Sequence, residues 1–218
     1  MTLRALLVDL DDTLHDKTAT ASIFASRLYQ QASLDSLGIN EQAWLTSFVG
    51  LNDLRIEKRE VFSRLRDQFK LPPAMAERFL NDFDDNFGTL AVPFPGAKEL
   101  LRDAKSQGLL IGMITNGRDA FQRSKVCGLG LSSYFDCILT SGAFGTKKPA
   151  SPIFMACLAS LGVAPQEAAF VGDDHAADIQ PAWKLGMIAI WKSRQQSDIA
   201  AFSSDNLYDI RRYVLARI

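Results

Sequence analysis

Asp9 and Asp11 stand one residue apart in Asp9-Leu10-Asp11-Asp12-Thr13, directly after the apolar run Leu3 to Val8. Two carboxylates so close repel each other unless a cation or a shared proton compensates, and enzymes use that tension to give paired acids different roles. The chemistry this suits is phosphoryl transfer. Three further groups follow apolar runs. Thr115-Asn116-Gly117 offers a hydroxyl, a short amide and a glycine-relaxed backbone, which together present several donors to phosphate oxygens; an Asn-Gly pair also makes an ordinary turn. Gly145-Thr146-Lys147-Lys148-Pro149 brings a cation ahead of a helix start, a place where a lone lysine is usually solvated. Val171-Gly172-Asp173-Asp174-His175-Ala176-Ala177-Asp178 is an acidic cluster suited to a hard, oxygen-seeking cation such as Mg2+, with an acidic N-cap for the next helix as its alternative.

The elements that must position these groups alternate. Short apolar runs over 3–8, 109–114, 135–140, 168–171 and 187–191 are long enough for buried strands. Between them lie helical patterns: Ala97, Leu100, Leu101 and Ala104 repeat at helical spacing between Pro95-Gly96 and Gly108, and Ser151-Pro152 resembles an N-cap with proline at the first helical position, ahead of Ile153, Phe154, Cys157, Leu158 and Leu161. Strand and helix in alternation predict an α/β fold, a doubly wound parallel sheet covered on both faces, with ligand-binding groups at its strand ends. From His15 to about Leu90 no strand pattern occurs. Helices over 20–37, 41–49, 52–69 and 73–87 are expected there as an insertion, with Val92-Pro93-Phe94-Pro95 as the stiff return. The expected division is 1–15 and 92–218 for the sheet domain and 16–91 for the helical one. Toward the end, 199–202 reads as an edge strand and 207–215 as a final helix, and Pro181 marks a helix start close to it.

A chain of 218 residues with 47% apolar content can bury a sizeable core, and its net charge of -1 carries no footprint for nucleic acid or an anionic membrane. No window is long and apolar enough for a membrane helix, and the start lacks signal-peptide zones, so a cytoplasmic location is expected. Cys127, Cys137 and Cys157 are odd in number, have no CxxC spacing and read as reduced core thiols. His15 and His175 have no ligand-spaced partner; hinge and surface roles are expected, with His15 facing a cleft as the alternative. Arg55, Lys58, Arg59, Arg64 and Arg66 are interleaved with Glu57 and Glu60 and read as a solvated helix face. Trp44, Phe48, Phe62 and Phe83 read as core of the insertion.

In this order and at these positions, the four features resemble the motifs of the haloacid dehalogenase-like hydrolases of phosphatase type, over nearly the whole chain. The resemblance implies a Rossmann-like core and makes the insertion similar to the family's α-helical caps of the first type. By the same resemblance Asp9 is the nucleophile that forms an aspartyl-phosphate. Asp11 protonates the leaving alkoxide and then deprotonates water, its backbone carbonyl serving as a metal ligand. Thr115 and the Asn116 backbone N–H hold phosphoryl oxygens, Lys148 (and not Lys147) neutralises charge, and Asp9, Asp173 and Asp178 serve Mg2+, Asp178 directly or through another ligand. Asp12 and Thr13 fix the loop.

Asp11 separates activities within the family, because a departing halide needs no proton; a phosphatase is therefore expected over a dehalogenase. A phosphonate hydrolase would need a cap lysine for a Schiff base, and none is marked. A phosphosugar mutase shares Asp9 and Asp11 and stays open. So does a phospho-aspartate switch without turnover, although such switches place their acidic residues ahead of the acceptor and need no insertion. The substrate implied is a small phosphorylated metabolite, a nucleoside monophosphate or a sugar phosphate.

Overall fold

The computed structural model describes residues 2–54 and 56–218, which divide into two compact units, Lys17–Val92 and Met1–Asp16 with Pro93–Ile218. The first unit holds helices α1 (Lys17–Gln31), α2 (Glu41–Asp53), α3 (Lys58–Phe69) and α4 (Pro73–Asn86). Asn40 opens α2 by accepting the Ala43 N–H at 3.0 Å, and Pro73 occupies the first turn of α4, where its missing N–H costs nothing. The apolar faces meet in an aromatic cluster of Phe24, Trp44, Phe48, Phe62 and Phe83, all buried. Phe24 meets Phe83 edge-on at 5.5 Å, and the Trp44 indole N–H donates to Ala25 O at 2.9 Å.

Two expected helices are shorter than their patterns. The one expected over 20–37 begins at Lys17 and ends at Gln31, because Ser33 turns into the left-handed region at φ 49°; Leu34–Leu37 forms a separate 3-10 turn. Asn52 belongs to α2, where its side-chain N–H donates to Phe48 O at 2.9 Å, so the third helix starts at Lys58. Most of the charged stretch is a solvated face, with exposed Arg59 and Arg64 and half-buried Arg66 paired with Glu77, Glu60 and Asp67. Lys58 departs from it: half-buried, it donates to Asn52 Oδ1 at 2.8 Å and lies over the Phe83 ring. Arg55 lies outside the described residues.

The second unit is a six-stranded parallel sheet of β1 (Ala5–Val8), β2 (Leu110–Thr115), β3 (Cys137–Thr140), β4 (Ala168–Gly172), β5 (Ile188–Trp191) and β6 (Phe202–Ser203), in the order β3-β2-β1-β4-β5-β6. Its helices are α5 (Ala97–Ser106), α6 (Asp119–Gly128), α7 (Ser141–Phe144), α8 (Ser151–Leu161), α9 (Gln180–Lys184) and α10 (Leu207–Leu215). All four residues of β1 are buried, as a central strand covered on both faces requires. Ile153, Phe154, Cys157, Leu158 and Leu161 of α8 pack with Phe170 and Ile179. The strand order reverses between β1 and β4, which is where a doubly wound sheet opens its ligand crevice.

Local differences have local causes. Ser151 is already helical and Ala150 takes the flanking position, so Ser151 does not cap α8. The edge strand is confined to Phe202–Ser203, since the chain turns at 197–200 with Ala200 N–H on Ser197 O. Cys137 and Cys157 are buried, but Cys127 is exposed on α6 and is no core thiol. Among the described residues no helix is long and apolar enough to cross a membrane.

Candidate active site

Asp9 follows β1 immediately, and its N–H still donates to Val171 O at 2.9 Å, so the chain leaves the sheet at the crevice between β1 and β4. Asp12 then takes a left-handed conformation, φ 59°, which aspartate tolerates better than most residues. Its carbonyl accepts from Lys192 Nζ at 2.8 Å. Thr13 ties the loop across the crevice: its hydroxyl lies 3.2 Å from Asp173 Oδ1 and 3.4 Å from Asp9 Oδ2.

Lys148 lies between two acids, with Nζ 2.5 Å from Asp9 Oδ1 and 2.6 Å from Asp178 Oδ1. The Asn116 side chain brackets the Lys148 backbone, accepting its N–H at 2.9 Å and donating to its carbonyl at 3.0 Å. Lys147, by contrast, is exposed. Burial opposes charge on Lys148, but Asp9 and Asp178 outweigh it and hold the ammonium above the usual lysine value.

The acidic stretch after β4 divides its duties. Asp174 is the N-cap, accepting from the N–H groups of Ala176 and Ala177 at 2.9 Å, while Asp173 and Asp178 turn toward Asp9. Asp178 rides on a π-helical turn, His175–Ile179, that runs into α9 with Pro181 in its first turn. It packs so tightly on Gly172 that any β-carbon there would collide with its carboxylate. Oxygens of Asp9, Asp173 and Asp178 lie within 4.8 Å of one another. Burial raises all three carboxyls, Asp173 to about 7 with help from the Asp9 and Asp12 charges, against the lowering effect of Lys148 on Asp9 and Asp178. Three acids that resist ionisation around one point form a donor set that fits a hard divalent cation, whose charge removes the penalty.

Asp11 stands apart from that cluster. Its carboxylate meets Lys125 Nζ at 2.8 Å on both oxygens, His15 Nδ1 at 2.6 Å and Gln122 Nε2 at 3.2 Å. Burial alone would raise its carboxyl; the Lys125 charge and the His15 contact reverse this and hold it far below the carboxylate range. Thr115 is buried at the end of β2, its hydroxyl accepting from Gln122 Nε2 at 2.6 Å. His15, expected at a hinge or facing a cleft, stands one residue before the end of the sheet unit's first segment and has no surface role: it is fully buried against Asp11. His175 is half-buried, edge-on to Trp191, with Nε2 2.8 Å from Ser197 Oγ. Sequence reasoning missed Gln122 and Lys125. Their only signal is spacing, three residues apart on the helix that follows the Thr115 loop.

The sequence family described as haloacid dehalogenase-like hydrolase matches residues 6–192. Glyceraldehyde 3-phosphate phosphatase of Methanothermobacter thermautotrophicus is 31% identical over 198 residues, 86% of this chain and 84% of that protein. Phosphoserine phosphatase of Thermus thermophilus is 37% identical over 125 residues, 56% of this chain but only half of that protein. A crystal structure of a phosphatase of the same family from Thermococcus onnurineus superposes with a TM-score of 0.68 at 25% identity, covering 99% of this chain and 100% of that one.

Proposed function

We propose, because the chain belongs to the haloacid dehalogenase-like hydrolases, that it is a Mg2+-dependent phosphomonoester hydrolase acting on a small phosphorylated metabolite through an aspartyl-phosphate. The observation that carries this reading is the convergence of Asp9, Lys148, Asp173 and Asp178 on one point beside a separately held Asp11. Relatives named for glyceraldehyde 3-phosphate and phosphoserine support a small substrate.

In this reading a carboxylate oxygen of Asp9 attacks phosphorus, and the ester P–O bond breaks as Asp11, which takes up a proton for this step against the Lys125 and His15 contacts that favour its charged form, gives that proton to the departing oxygen. Water then attacks phosphorus and passes a proton to Asp11, the bond to Asp9 breaks, and inorganic phosphate leaves with both acids restored. Lys148 offsets negative charge at Asp9, and Thr115 and the Asn116 N–H face the phosphoryl oxygens. The Asn116 side chain adds a positioning role through the Lys148 backbone. Asp9, Asp173 and Asp178 would hold Mg2+, together with the Asp11 carbonyl; when bound, it supplies charge that lets two anions approach. The helical unit is read as the family's cap, to which substrate choice is assigned. Asp11 favours ester hydrolysis over dehalogenation, since an alkoxide needs the proton that a halide does not.

The test is a screen of phosphorylated metabolites with Mg2+, run beside Asp9→Asn and Asp11→Asn. Steady phosphate release is expected from the unaltered protein and none from Asp9→Asn. Asp11→Asn should slow alkyl esters severely and activated aryl phosphates less. Full turnover by the Asp9 variant would refute the covalent route.

A further inference from the structure

The motif that supplies Asp11 does not by itself aim its carboxylate. Three side chains do so: Lys125 on both oxygens at 2.8 Å, His15 on Oδ1 at 2.6 Å and Gln122 on Oδ2 at 3.2 Å. Gln122 and Lys125 occupy one face of α6, and the lysine also donates to Gln122 Oε1 at 2.8 Å. The Gln122 amide nitrogen that faces Asp11 donates at 2.6 Å to the Thr115 hydroxyl as well. Both clamp residues are buried, Gln122 at 1% and Lys125 at 4% exposure, whereas the Asp11 side chain keeps 28%. An ammonium withdrawn this far from water is expensive, and an apolar residue would fill the place at less cost. The arrangement therefore stabilises one placement of Asp11 and leaves part of its carboxyl open.

We infer that Lys125 and Gln122 are positioning residues for the reaction: they fix the Asp11 carboxyl where it can reach the departing oxygen, and tie it to the Thr115 hydroxyl so that proton transfer and phosphate binding share one frame. The inference rests on the proposed phosphatase reading. A proton donor must lie within about 3 Å of its acceptor, and a displacement of about 1 Å costs on the order of a hundredfold. Because Asp11 matters most for poor leaving groups, a defect in its placement must show the same selectivity.

Lys125→Met, which keeps length and removes charge, is expected to lower kcat on an alkyl phosphomonoester by about tenfold to a hundredfold with KM little changed. On p-nitrophenyl phosphate the loss is expected to be several-fold smaller. Lys125→Arg should recover part of it, since the guanidinium also contacts both carboxylate oxygens. In an Asp11→Asn background, Lys125→Met should add almost nothing, because the clamp then has no carboxylate to aim. Equal losses on both esters, a full additional loss in the Asp11→Asn background, or an unchanged kcat would overturn the clamp. Circular dichroism and Tm report folding; if Lys125→Met does not fold, Gln122→Met takes its place in the comparison of esters, and the same results support or overturn the clamp. Two controls separate the levels: no phosphate release from the unaltered protein sinks the phosphatase reading and full turnover by Asp9→Asn sinks its covalent route, whereas a fully active Lys125→Met beside an inactive Asp9→Asn sinks only the clamp.

Discussion

Both units bury an apolar core, but they differ in the polar groups buried with it. Of the eleven buried polar or charged side chains among the described residues, nine belong to the sheet unit, and the helical unit holds only Thr20 and Asn52. The helical unit instead buries aromatic rings, with Trp44 in contact with Phe48, Phe69 and Phe79 at centroid distances of 5.4 to 5.9 Å. Buried rings stabilise by removing apolar area from water, whereas buried acids and lysines give little net stability and are retained where a reaction uses them. The helical unit's core is thus almost free of buried charge, whereas the sheet unit adds the candidate site's acids and lysines to an apolar core of its own, and substitutions should separate packing from the proposed chemistry.

The sharpest contrast lies between Asp9 and Trp44. Asp9→Asn keeps the side-chain size and removes one acid from a cluster where burial already opposes its charge. Turnover should fall by more than about a thousandfold while Tm holds or rises. Trp44→Ala should do the reverse, costing about 3–5 kcal/mol of stability through the cavity it leaves and the lost bond to Ala25 O. Phosphate release per folded molecule should change far less than in Asp9→Asn. If Asp9→Asn proved as destabilising as Trp44→Ala, the division of labour would be wrong.

Asp173 tests the acid cluster with a smaller effect. Asp173→Asn should raise the Mg2+ concentration for half-maximal activity at least about tenfold, and chelation of the unaltered protein should abolish turnover until Mg2+ is returned. An unchanged Mg2+ requirement in the variant would remove Asp173 from the proposed metal site.

What is legible in the sequence follows the same division. Four of the five longer strands are readable because a central parallel strand is apolar without interruption, as β1 states in four residues, and the edge strand β3 shows through its own short apolar run. Asp9, Lys148, Asp173 and Asp178 are readable as candidates because each sits in or beside a strand-end loop whose residue types are unusual there. Their convergence is not, since it depends on β1 and β4 being neighbours although Val8 and Ala168 are 160 positions apart, a matter of topology. Gln122 and Lys125 are invisible for another reason: an amide and an amine on a helix face have the composition of a solvated surface, and only the placement of α6 buries them. His15 misleads likewise, because a histidine after an acidic loop says nothing of which way its ring turns.

The placement of α6 leads to the smallest effect. Thr140, at the end of β3, donates its hydroxyl to Asp119 Oδ1 at 2.7 Å, and Arg123 Nε lies 3.0 Å from both carboxylate oxygens. Asp119 opens α6, so these bonds tie the helix carrying Gln122 and Lys125 to the sheet. The Thr140 hydroxyl, against partial burial and helped by Arg123, holds the Asp119 carboxyl below its ordinary value. A carboxyl whose folded value is depressed contributes stability that is present above the unfolded value, about 4, and is lost as pH falls through the folded value. Asp119→Asn should therefore lower Tm slightly at neutral pH, and the gap from the unaltered protein should close on acidification. Its alkyl-ester kcat should fall less than that of Lys125→Met, because a loosened helix still carries both clamp residues. A Tm gap that persists undiminished below about pH 3 would mean that the Asp119 charge does not hold α6 in place.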